Sequence, residues 1–261
     1  MEKIFVIKIG GNIIDNAESL DVFLQQFSEI KEPKILIHGG GKLATDLAAN
    51  LNINQQLIEG RRITDAATLE VVTMVYAGAI NKNIVAKLQA NECNALGLCG
   101  ADANLISASK RPVKEIDYGF VGDIKDNGIN TSFLQLLFQN NIIPVIAPIT
   151  HNNDGQLLNT NGDSIANEIA KALSIKFKVH LIYCFNKKGI LKDVKDENSV
   201  IKTISNETAA DLKLAGSIHE GMIPKIDNAL RAIAAGVHKV SLGHALELEE
   251  IIHGIAGTEI Q

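Results

Sequence analysis

Three charged side chains stand where the chain around them gives a charge little reason to be. Lys8 sits inside the apolar run "FVIKIGGNII", directly before Gly10 and Gly11. Asp163 closes the polar knot "NTNGD", and Lys225 follows Pro224 at the start of the helical pattern "IPKIDNALRAIAAG". A fourth stretch, "ILIHGGGK", ends a strand in Gly39, Gly40 and Gly41. Three glycines exceed what a turn requires, and they let backbone N–H groups approach an anion where the following helix dipole also favours negative charge. Two cations, a nest of donors and a carboxylate to hold the cations are the parts that phosphoryl transfer needs, because its catalysis is mostly positioning plus electrostatic stabilisation. No general base is evident, which suits an acceptor that is itself a carboxylate and so is ionised at neutral pH. The expectation is that the fold brings Lys8 and Lys225 to either side of one migrating phosphoryl group, with Asp163 orienting both.

Each stretch also has a plainer reading. Gly10 and Gly11 alone are a strand-end turn. Asn and Asp before an amphipathic helix are caps, although one cap uses one side chain and Asn159, Asn161 and Asp163 are three. Lys225 opposes the positive end of its helix dipole, so it either points to solvent or strengthens the field felt by an anion. Neither glycine loop matches the standard nucleotide motifs: Lys42 is followed by Leu43, which breaks the P-loop pattern, and no G-x-G-x-x-G follows a strand.

The elements that must carry these residues follow from periodicity. Short β-branched runs alternate with helical patterns, the signature of βα units on a largely parallel sheet. Strands are expected at residues 4–9, 34–38, 93–98, 142–149, 178–183 and 238–242. Helices are expected where Leu20, Phe23, Leu24 and Phe27 share a face, and over a long span from Asp65 to Asn91. The polar stretch "SKRPVKEIDYGFVGDIKDNG" reads as hairpins or loops at the sheet edge. A lobe boundary is expected near residue 175.

Composition bounds the partners. The 261 residues carry a net charge of −5, which argues against a general nucleic-acid or anionic-membrane binder. No run approaches the roughly 20 apolar residues of a membrane span, and the expectation is a cytoplasmic protein. Three cysteines without a C-x-x-C pair indicate neither a disulfide framework nor a structural zinc site. The seven histidines show no ligand spacing, so no protein-held metal is expected, and His38 reads as an oriented structural residue.

Taken in order, "KIGGN", "IHGGGK", "EGRRIT", "DYGFVGDI", "LLNTNGDSIANEIA" and "HEGMIPKI" resemble the amino acid kinase family over nearly the whole chain, in its branch acting on N-acylated glutamate. The resemblance implies an open three-layer αβα sandwich with a mainly parallel central sheet and two lobes. Residues 1–175 would bind the acylglutamate and dimerise, and 176–261 would bind ATP. It implies transfer of the ATP γ-phosphoryl to the side-chain carboxylate of an N-acyl-L-glutamate, an arginine-biosynthetic step, with Mg²⁺ carried by the phosphates. Lys8 and Lys225 would stabilise the transferring group and Asp163 would organise them. Gly40, Gly41, Arg62 and Asn159 would bind the acylglutamate, Arg62 gripping its α-carboxylate. Nucleotide contacts would come from Gly10, Gly11, Asn186, Lys187, Lys188, Gly189, Ile190 and Leu191, and from Ser217, Ile218 and His219. The loop after "LIYC" departs from the family pattern, with Asn186 where members usually carry Asp. Lys8 lies too near the start for the N-terminal helix associated with arginine-inhibited hexamers, so an arginine-insensitive homodimer is expected. Acceptors of other family members (N-succinylglutamate, glutamate, carbamate), or a non-catalytic sensor with this fold, remain open alternatives, as does the acyl group.

Overall fold

The computed structural model describes residues 1–58, 61–193, 195–214 and 222–261. The chain begins with β1 (Lys3–Ile9), the short α1 (Gly11–Ile14), α2 (Ala17–Glu29), β2 (Lys34–His38) and α3 (Leu43–Asn50). A small hairpin, β3 (Leu57–Ile58) with β4 (Arg61–Arg62), leads to α4 (Ala66–Thr73), which continues through a π-helical stretch, Met74–Ile80, into α5 (Asn81–Ala90). Next come β5 (Ala95–Leu98), β6 (Ile106–Lys110), β7 (Gly122–Ile129), α6 (Thr131–Gln139), β8 (Ile143–Ile146), β9 (Ile149–His151), β10 (Leu157–Asn159) and α7 (Gly162–Ser174). The last third holds β11 (Lys178–Phe185), β12 (Thr203–Ile204), α8 (Asn206–Leu214), α9 (Ile223–Ala234), β13 (Lys239–His244), α10 (Leu248–Ile252) and β14 (Thr258–Ile260).

Eight strands form the central sheet in the order β12-β14-β13-β11-β1-β2-β8-β5. Every neighbouring pair is parallel except β13–β14. Both faces of a parallel sheet must be covered, and β1 displays how. Ile4 and Val6 join the core under α7 and α9, whereas Phe5, Ile7 and Ile9 join the core under α2, α4 and α5. The result is the expected α/β three-layer sandwich. By the same alternation Lys8 belongs to the Ile4 and Val6 side, the side covered by α7.

The amphipathic α2 illustrates why these residues fold so. Asn16 caps it by accepting from the Ser19 N–H at 2.9 Å, and its stripe Leu20, Phe23, Leu24 and Phe27 is buried, each side chain contributing roughly 1.5–3 kcal/mol. Its C-terminal carbonyls are closed by Lys34, a buried lysine that donates to Phe27, Ser28 and Ile30 oxygens at 2.6, 3.0 and 2.7 Å. Burial lowers the Lys34 pKa to about 8. Lys34→Met leaves three carbonyls without that donor and is expected to cost about 2 kcal/mol in urea unfolding; an unchanged midpoint would show that water replaces the ammonium.

Two expected elements differ in form. The strand expected over residues 142–149 divides into β8 and β9, because Pro148 lacks an N–H for the ladder and the chain there leaves the central sheet. The polar stretch expected at the sheet edge instead supplies β7 to a separate four-stranded sheet ordered β10-β9-β6-β7. That sheet carries Asn159 and the residue after β6, Arg111, to the rim of the cleft described below. Cys93 and Cys184 are buried and Cys99 is half-buried.

Candidate active site

The C-terminal ends of adjacent parallel strands β11, β1 and β2 release three loops side by side, the position where open α/β sheets bind ligands. From β1 come Gly10 and Gly11, from β2 Gly39 to Gly41, and from β11 residues 186–191. The first two loops touch: a Cβ at Gly11 would lie 2.8 Å from Gly41 Cα. Asp15 ties them by accepting the Lys42 N–H at 2.9 Å, and Gly41 has φ +57°. Gly39 donates to Ile9 O at 3.0 Å, while the Gly40 and Gly41 N–H groups have no partner among the described residues and are available to an anion.

Lys8, at the end of β1, meets the first turn of α7. Its Nζ lies 2.7 Å from Asp163 Oδ1 in an ion pair outside good hydrogen-bond geometry. The Lys225 Nζ, from the first turn of α9, donates to Asp163 Oδ2 at 2.8 Å. The structure thus brings together two cations 217 positions apart in sequence on the two oxygens of one carboxylate. Burial alone would raise the Asp163 pKa, but the two ammonium groups outweigh it and hold the carboxyl well below the usual carboxylate range. Asn161 caps α7, accepting from the Asp163 and Ser164 N–H groups at 2.8 and 3.1 Å, which leaves the Asp163 carboxylate to the two lysines.

A cleft of about 270 Å³ opens beside this triad. Its lining includes Lys8, Gly11, Gly40, Gly41, Arg62 and Asn159, all expected from sequence, together with Arg61, Tyr76 and Arg111, which were not. Arg62 is held in a frame: it donates to Gln55 Oε1, and to Thr45 Oγ1 at 2.9 Å. Tyr76, placed by the π-helical stretch, packs beneath Gly40 so closely that a Cβ there would overlap its ring. Gly40→Ala is therefore expected to displace the glycine loop and raise the acceptor KM at least about tenfold, since misplacing a positioning group by an ångström is costly; an unchanged KM would show that the loop does not contact the acceptor. Asn159 donates to Thr64 Oγ1 at 3.0 Å and lines the cleft.

His38 is fully buried, with Nδ1 2.9 Å from Gly39 O and Nε2 3.2 Å from Asn81 Nδ2. Burial lowers its pKa to about 4, so it is neutral and holds the glycine loop, as an oriented structural residue does. On the β11 side, Asn186 and Lys188 are exposed and Lys187 pairs with Glu197 at 3.3 Å. Ile190 and Leu191 are buried, and the Ile190 N–H and C=O are used by Thr258 and Ile201, so Asn186 and Lys188 are the exposed side chains of this loop. The Gly10 N–H is given to Cys184 O at 3.2 Å. Ser217, Ile218 and His219 lie outside the described residues.

The amino acid kinase family profile matches residues 3–244. An acetylglutamate kinase of Cytophaga hutchinsonii is 55% identical over 254 residues, covering 97% of this chain and 96% of that one. One from Phocaeicola vulgatus is 51% identical over 249 residues, covering 95% and 96%. Among solved structures, smu.665 from Streptococcus mutans UA159 superposes with a TM-score of 0.78 at 27% identity, over 99% of this chain and 98% of that one. The chain belongs to the amino acid kinase family.

Proposed function

We propose that the protein transfers the γ-phosphoryl group of ATP to the side-chain carboxylate of N-acetyl-L-glutamate, the reaction named for its relatives, in arginine biosynthesis. The observation that carries the mechanism is the Lys8–Asp163–Lys225 triad at the head of a cleft whose floor is the glycine loop. The acceptor carboxylate oxygen attacks the γ-phosphorus, the bond to the β-phosphate oxygen breaks, and ADP leaves with that electron pair. No proton needs removing, because the acceptor is already ionised. Repulsion between the two anions is the barrier to approach, and two ammonium groups pinned by one carboxylate reduce it without reorganising. Gly40 and Gly41 N–H groups receive the acceptor end, and Arg62 and Asn159 hold its α-carboxylate.

Every lining residue of the cleft lies within 1–175, which supports assigning the acylglutamate to that lobe and ATP to 176–261, over the β11 loop. Among the described residues no three His, Cys, Asp or Glu side chains converge, and both Asp163 oxygens are already engaged. A Mg²⁺ ion accompanying ATP would be carried mainly by the phosphates and water. No described helix is long and apolar enough to cross a membrane. A homodimer is the proposed assembly, with exposed Leu96 on the edge strand β5 and exposed Met74 as apolar surface available to it; light scattering should give twice 28.1 kDa.

The test is ATP-dependent trapping of the acyl phosphate by hydroxylamine. With N-acetyl-L-glutamate, hydroxamate and ADP should appear in equal amounts. Tight binding of both ligands with no hydroxamate would reassign the chain to a non-catalytic sensor.

A further inference from the structure

Behind the glycine loop lies a buried polar chain. His38, the last residue of β2, and Asn81, the first of α5, are both fully buried, and neither lines the cleft. Asn81 Nδ2 donates to Val145 O at 2.9 Å, and Asn81 Oδ1 accepts from Lys82 Nζ at 3.1 Å, an ammonium that also donates to Gly97 O at 3.0 Å. A carbonyl on one side and a cation on the other decide which way this amide faces, because the reverse placement sets oxygen against oxygen and NH₂ against ammonium. The NH₂ therefore meets His38 Nε2, 3.2 Å away. A ring nitrogen that faces a donor must accept, so the imidazole proton sits on Nδ1, which donates to Gly39 O at 2.9 Å.

That last bond reaches the cleft through one peptide plane. The Gly39–Gly40 peptide is trans, so its N–H and C=O point in opposite directions. His38 shares the Leu36 side of β2, the side covered by α2, α4 and α5, whereas Lys8 lies on the other. Holding the Gly39 carbonyl on the imidazole turns the Gly40 N–H away from that ring, toward the cleft that Gly40 and Lys8 both line. A peptide between two glycines turns over at little steric cost, and turned over it would present a carbonyl oxygen to an incoming anion. We infer that Asn81 and His38 are positioning residues for the acceptor: Asn81 fixes the imidazole tautomer, and the Nδ1 proton locks the Gly39–Gly40 peptide so that its N–H faces the acceptor carboxylate. This rests on the proposed function, which places that carboxylate on the glycine loop.

Two conservative variants separate this role from mere filling of space. Asn carries its amide nitrogen where imidazole carries Nδ1, whereas Gln places its amide where Nε2 stood. In the hydroxamate assay, His38→Gln should raise the KM for N-acetyl-L-glutamate at least about tenfold, while the KM for ATP stays within about twofold. His38→Asn, although smaller, should bring the acceptor KM back to within about threefold of wild type. Equal effects of the two variants, or a milder one from Gln, would mean that the imidazole only fills its site and would overturn the inference. Two-bond ¹H–¹⁵N correlations of the His38 ring in the wild-type protein give a second readout that needs no variant to fold and no turnover. They should show the proton on Nδ1; a proton on Nε2 overturns the inference and leaves the kinase reading standing. Wild-type protein with that Nδ1 proton but no hydroxamate removes the kinase reading, and the acceptor role of the lock with it.

Discussion

Lys8→Ala should lower kcat by about 10²–10³-fold, the usual loss on removing one preorganised electrostatic donor, while KM for ATP and for the acceptor changes less than about fivefold. The reason lies in where charge develops. In the proposed arrangement neither substrate is bound by Lys8 alone, because Arg62 and the glycine loop would hold the acceptor and the β11 side would be left for the nucleotide. The ammonium matters most when the γ-phosphoryl group is detached from ADP and its charge is spread over exposed oxygens. An interaction made mainly in the transition state appears in kcat. Lys225→Ala should behave alike, and since one carboxylate holds both ammonium groups, the double variant should lose less than the product of the single losses. A purely KM effect at either position would reassign that lysine to ground-state binding.

Asp163→Asn should damage both stability and turnover. The carboxylate pairs with two ammonium groups, 2.7 and 2.8 Å away; an amide offers one oxygen and turns its NH₂ toward the other lysine. Removing one member of a buried ion pair costs roughly 3–5 kcal/mol. Lys8, Asp163 and Lys225 side chains are 14, 18 and 29% exposed, so solvent screens part of that and about 2–3 kcal/mol is expected. The pH dependence has a definite sign. The Asp163 pKa is depressed in the folded state, so its contribution is fully present above the unfolded value of about 4 and fades as pH falls through the lower, folded one. The stability gap between wild type and Asp163→Asn should hold constant from pH 8 to pH 5 and close below pH 4. A gap that closes nearer neutrality would mean that the carboxylate is not paired as described.

How much of this was legible in the sequence follows from what each residue needs. The partner of Lys8 was readable in kind, because a lysine in an apolar strand requires an anion, and strand alternation fixes which face must supply it. That Asp163 takes both lysines follows from β1 and β11 being neighbours, with α7 and α9 covering the same face, which no local pattern states. Asn161 was a cap by the ordinary rule, and recognising that one cap uses one side chain left Asp163 for other work. Arg61, Tyr76 and Arg111 were missed for a common reason. Tyr76 reaches the cleft only because the helix between Asp65 and Asn91 takes a π-helical turn, and Arg111 only because β6 and β7 form a second sheet where polar loops were expected. Arg61 stood beside Arg62 in "GRRIT", and that adjacency was its one local signal. On the nucleotide side, Ile190 and Leu191 fell in the expected loop, yet their apolar side chains serve the core and Ile190 spends its backbone groups there.

The central claim is that Lys8 and Lys225 act on the same phosphoryl group, and a crystal structure with ADP, tetrafluoroaluminate and N-acetyl-L-glutamate tests it most directly. Both Nζ atoms should lie about 3 Å from fluorides of the planar anion, with Asp163 still joining them from behind and the acceptor carboxylate in line on the far side. A complex in which either ammonium faces away from the aluminium centre, toward solvent or a different ligand atom, would contradict it.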